Sequence, residues 1–80
     1  MKDETFAKKF EARYAALRLI DEMLRMIAET DASDLLWRTE TALREDRRRI
    51  TAYLNENSSR YDETPSEVRR NAQRARAGGE

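Results

Sequence analysis

FAKKFEARYAALRLIDEMLRMI, residues Phe6 to Ile27, is the stretch that decides the fold. On a helix wheel at about 100° per residue, Phe6, Phe10, Leu17, Ile20, Leu24 and Ile27 make one apolar stripe. Ala12, Ala16, Leu19, Met23 and Met26 make a second beside it. A helix seated on a single partner needs an apolar arc only about 100° wide. The two stripes together cover more than half the circumference, which predicts burial against two or more helices. No Gly, Pro or β-branched run interrupts the segment, and Asp3 and Glu4 suit the positive end of the helix dipole. A helix is therefore expected over about residues 4–29.

Thr30 to Asp34, TDASD, is the first run of residues that favour caps and turns over helix interiors. Asp31 with Asp34 three positions on resembles a capping box with a shorter carboxylate. Beyond it Leu36, Leu43, Ile50 and Leu54 form a stripe that falls out of phase with the first when the helix is simply extended. The break in phase predicts an antiparallel helical hairpin, with a second helix over about residues 34–57; the alternative is one long bent helix. Folding at TDASD would bring Ile27 towards Leu36, Ile20 towards Leu43 and Phe10 towards Leu54.

NENSSRYDETP, Asn55 to Pro65, reads as a linker, because its Asn, Ser and Asp side chains compete for backbone hydrogen bonds. Thr64, Pro65 and Glu67 then form a helix start, with a capping hydroxyl and Pro at the first helical position. Val68, Ala72, Ala75 and Ala77 are the only hydrophobic side chains after residue 61. That apolar area is too small to offset the entropy of ordering the segment. The division expected is thus residues 1–61 as a hairpin and residues 62–80 as a basic, weakly packed C-terminal helix or tail.

The composition narrows the function. Eighty residues make one small domain, and a domain of that size buries too little surface to be very stable alone. Oligomerisation is one remedy, and a four-helix-bundle-like homodimer built from two hairpins is the expected fold, all-α throughout. There is no His and no Cys, so the usual general base, the usual transition-metal ligands and thiolate chemistry are missing. A non-catalytic protein with no cofactor and no metal is expected. Sixteen basic residues balance sixteen acidic ones, whereas a protein devoted to nucleic acid or an anionic membrane usually carries a basic excess. No apolar run is long enough to span a bilayer and the N-terminus has no signal-type apolar core, which predicts a cytoplasmic protein with no membrane partner.

Four groups of residues are candidates for function. Leu19, Met23 and Met26, on the second stripe, are the expected oligomer interface. Arg13, Asp21, Glu40 and Arg47 are ionisable residues lying on apolar stripes, where charge is costly unless paired. They either fix register through interhelical ion pairs, as polar core positions do in coiled coils, or line a site for a small polar ligand between protomers. Leu35 and Trp37 put large apolar side chains at the hairpin tip, and Trp is enriched at binding hot spots. Arg47, Arg48 and Arg49 spread over about 200° of a helix, so they cannot share one face; they are a solvated face or a phosphate-contacting patch. These features lead to the expectation of a regulator, adaptor or inhibitor that binds another protein. The alternatives are a small nucleic-acid-associated regulator using the arginines and tail, and a small-ligand binder at the protomer interface.

Overall fold

The computed structural model describes residues 2–78, and its side chains over residues 3–76. These residues are all-helical, with three helices and no strand: α1 (Lys2–Glu29), α2 (Trp37–Asp62) and α3 (Ser66–Gly78). At 1.5 Å per residue α1 is a rod of about 42 Å, and it sets the long axis of a molecule measuring 45 × 26 × 15 Å. The radius of gyration is 15.0 Å, against about 12 Å for a compact domain of this length. None of the described helices is long and apolar enough to cross a membrane.

α1 is the middle element, and α2 and α3 both lie on it. Asp21 meets Arg47, Arg13 meets Tyr53 and Glu11 meets Tyr61, so residue numbers rise along α2 as they fall along α1. α3 runs the other way, with Ala7 and Ala72 in one core cluster and Arg76 reaching Glu11 and Tyr14 further along α1. The core lies at the end of α1 where all three helices meet. Phe6, Ala7, Phe10, Leu54, Tyr61 and Ala72 are buried there, with Leu17, Ile50, Tyr53 and Val68 packed around them. Phe10 stacks on Tyr61 with ring centroids 4.2 Å apart and planes 8° from parallel. Ala7 and Ala72 are almost completely covered, and two residues without long side chains let α1 and α3 approach closely.

The packing of α3 corrects the expectation of a weakly held tail. Residues 66–78 contribute Ala72 and Val68 to the same core as α1 and α2, and Thr64, in the turn before them, is 6% exposed. The apolar count missed what polar side chains add: the Arg76 guanidinium lies over the Tyr14 ring and 3.0 Å from the buried Glu11 carboxylate of α1. Gly79 and Glu80, at the end of that segment, lie outside the described residues.

Both boundaries of α2 also differ from expectation. α1 ends with Asp31 at φ 56°, the Asp31 N–H donating to Ala28 O at 3.2 Å and the Ala32 N–H to Ile27 O at 3.1 Å. This is a Schellman closure with an aspartate in the left-handed position that glycine usually takes. A turn follows, closed by Leu35 N to Ala32 O at 3.1 Å and Leu36 N to Ala32 O at 2.9 Å. α2 therefore begins at Trp37, three residues after the expected start, and Leu36 at its N-cap makes no side-chain capping bond. Asp31 and Asp34 therefore do not form a capping box for α2, whose N-cap position is Leu36. At the other end α2 runs through the supposed linker to Asp62. Asn57 donates to Tyr53 O at 2.8 Å and Ser58 to Asn55 O at 3.3 Å, so these side chains bond back along the helix instead of replacing it, while Tyr61 anchors the last turn in the core. The Thr64 hydroxyl likewise donates to Arg60 O at 3.1 Å: it closes α2 and does not cap α3.

Candidate functional site

Three places gather the polar or exposed residues that could act. The first is the apolar tip, where α1 ends and α2 begins. Leu35 is 82% exposed, Trp37 58% and Met26 53%, and Leu19, about two turns before Met26 on α1, is 60% exposed. Beside Met26 is a groove of about 340 Å³ lined by Met23, Met26, Ile27, Thr30, Leu36, Thr39 and Leu43. Its walls are apolar because Thr30 turns its hydroxyl to the Met26 carbonyl at 2.8 Å. The Arg38 guanidinium lies 5.3 Å from the Trp37 ring centroid, covering one face of the indole.

The second place is the flank of α2. Arg47 Nε donates to Asp21 Oδ1 at 2.5 Å, the one interhelical ion pair between α1 and α2 among the described residues. Arg44 pairs with Glu40 at 2.8 Å, and Arg49 with Asp46 at 3.7 Å. Arg13 does not join Asp21 and Arg47. Its guanidinium packs 4.7 Å from the Tyr53 ring centroid, in a separate groove that it shares with Asp46 and Arg49. The four ionisable stripe residues are thus split between partners of three kinds: an interhelical ion pair, an ion pair within α2 and a cation–π contact. Leu35 and Trp37 stand about three turns of helix from Arg47–Arg49, so the tip and the arginines are two surfaces.

The third place is a buried polar cluster at the three-helix junction. Glu11 is 5% exposed. Its Oε2 accepts a short hydrogen bond from the Tyr61 hydroxyl, and Arg76 Nε lies 3.0 Å from Oε1. The second contact is an ion pair by distance only, since Oε1 accepts no aligned hydrogen bond. Burial, then the hydrogen bond to Glu11 and its negative charge, push the Tyr61 hydroxyl up to about 12, against the opposing pull of Gln73 and Arg69. Arg69 Nε is buried with no partner, and the Arg76 guanidinium also lies 4.9 Å from the Tyr14 ring centroid. Sequence reasoning passed over this cluster. The signal was there: Ala7, Glu11 and Tyr14 recur at helical spacing on α1, a seam whose central residue is charged and so escapes a search for apolar stripes. No protein-family model matches the chain, and neither the curated proteins nor the solved structures contain a match to it.

Proposed function

We propose that this chain is a non-catalytic interaction module that works through its apolar tip, as a regulator or adaptor, and that its first partner there is a second copy of itself. In this reading α1 and α2 act as an antiparallel hairpin, and two hairpins pair through Leu19, Met23 and Met26 into a four-helix-bundle-like homodimer. Leu35 and Trp37 extend the same contact. The observation that carries the reading is the exposure of four large apolar side chains, Leu19 and Met26 on α1 and Leu35 and Trp37 at the turn into α2, away from the end of α1 on which α3 packs. Two further facts favour a second copy as the occupant. The chain is slender, 15 Å in its smallest dimension. Moreover, the stripe lies along one face of a long helix, where an identical helix can lay the same side chains, as a two-fold contact requires.

Sedimentation equilibrium tests it. The wild-type chain should be a dimer, and Met26→Glu should convert it to a monomer, because a carboxylate would be buried without a partner in the contact. A wild-type chain that remains a helical monomer at high protein concentration would overturn the self-pairing.

A further inference from the structure

A second surface, away from the tip, has the chemistry of a site. Arg44, Arg48, Thr51 and Asn55 recur at spacings of four, three and four, so they fall in one row along α2, extending about 16 Å at the helical rise. This row forms one wall of an open groove of about 700 Å³ between α1 and α2, completed by Arg47 and by Asp21. We propose that the groove binds an oligophosphate chain, either a free polyphosphate or the backbone of a single-stranded nucleic acid.

The donors are arranged for it. Arg48 takes part in none of the ion pairs among the described residues. Arg47 commits its Nε to Asp21, and Arg44 commits one terminal nitrogen to Glu40. A guanidinium carries five N–H donors, so each of these two keeps a free edge. Thr51 and Asn55 add uncharged side-chain donors beyond the arginines along α2. Guanidinium forks match phosphate oxygens in pairs, and a row of donors fits a chain of phosphates better than one compact anion. Asp21 is the opposing charge. It holds Arg47 in place but faces the groove as a half-exposed carboxylate, so it repels the ligand it helps to position. The groove contains no aromatic side chain on which a base could stack. Recognition is therefore of phosphates and not of sequence.

The test uses the full chain, with fluorescence anisotropy of a labelled oligothymidylate and calorimetry with inorganic tripolyphosphate. Binding should weaken steeply with salt. Arg48→Ala should weaken it about tenfold and lower the salt slope by about one. Asp21→Asn should tighten it about threefold by removing the repelling charge. Arg49→Ala, on the other groove, should change nothing, and circular dichroism confirms that each variant is folded. Tripolyphosphate binding alone identifies a free polyphosphate as the source, oligothymidylate binding alone a nucleic-acid backbone, and both together the shared chemistry. Absence of binding to either at low salt overturns the proposal. So does an equal loss in Arg48→Ala and Arg49→Ala, which would mean diffuse attraction, or a failure of Asp21→Asn to tighten binding.

Discussion

Replacing Glu11 by alanine should cost this protein a large share of its stability, although Glu11 makes no contribution to the apolar core. The carboxylate is 5% exposed and lies between helices, accepting the Tyr61 hydroxyl from α2 and facing Arg76 from α3. Truncation leaves the Tyr61 hydroxyl buried without its acceptor, which costs roughly 1–3 kcal/mol. Breaking a fully buried ion pair costs about 3–5 kcal/mol, but Arg76 keeps 28% of its side-chain surface exposed and can turn towards water, so its share falls well below that range. The expected loss is about 2–4 kcal/mol, against a total of roughly 4–12 kcal/mol for a chain of this length. Glu11→Gln keeps an acceptor for Tyr61 and loses only the charge, so it should cost about 1 kcal/mol. In the Glu11→Ala background Tyr61→Phe should then cost little more, since the hydroxyl it removes has already lost its acceptor. The assay is urea unfolding followed by circular dichroism at one protein concentration, because the proposed dimerisation would make stability concentration-dependent. Asp21→Ala serves as the comparison: its pair with Arg47 is half-exposed and should be worth less than about 1 kcal/mol. If Glu11→Ala falls within about 0.5 kcal/mol of the wild type, a margin usual for surface changes, the junction is not held as described.

The same cluster makes an alkaline prediction. Tyr61 is raised to about 12 from the ordinary 10.0. Its contribution is therefore complete below pH 10 and is lost as pH rises from 10 towards 12, where the unfolded chain releases the proton first. Tyr61→Phe should flatten that decline, and a tyrosinate absorbance titration should show one tyrosine ionising last; an equal alkaline decline in both proteins would contradict the assignment. At the end of α1, Asp31→Gly should stabilise the protein by about 1 kcal/mol. It removes the steric cost of the left-handed conformation and a negative charge at the wrong end of the helix dipole. An unchanged or lowered melting temperature would count against the Schellman closure.

What the sequence made legible was the part written in apolar periodicity. The Phe6 to Ile27 stripe marks α1, and Leu43, Ile50 and Leu54 mark the face of α2 that meets it, because aliphatic and aromatic side chains report burial directly. The demand of α1 for more than one partner was also readable, but not which side would be served inside the chain. The Leu19 and Met26 side stays open, while the Ala7, Glu11 and Tyr14 side takes α3. That seam was hidden because its members are a small residue, a charge and a half-exposed ring, and because its partner is an arginine-rich helix that counts as surface by composition. The boundaries of α2 were hidden for a related reason. Asp31 ends a helix by a backbone conformation that Asp adopts less readily than Gly, and Asn57 and Ser58 satisfy themselves within a helix that their type usually ends. At the candidate sites, the exposure of Leu35 and Trp37 followed from their position at a bend, whereas the groove beside Arg48 depends on how far apart two helices lie, which no pattern along one of them encodes.

The meeting of Ala7 with Ala72 in one cluster has a consequence for how the protein is made. Translation delivers Phe6 and Phe10 well before α3, which adds Ala72 and Val68 to their cluster. Before α3 has been synthesised, α2 can stack Tyr61 on Phe10, but the part of the cluster that Ala72 and Val68 cover has no partner. Completing the cluster needs Ala7 and Ala72, far apart in sequence, to meet, which raises the loop-closure cost of a fold whose other contacts are mostly local. A chain cut short after Asp62 keeps the Phe10–Tyr61 stack but lacks the cover that Ala72 and Val68 give the cluster, and exposed apolar surface is what chaperones and proteases act on.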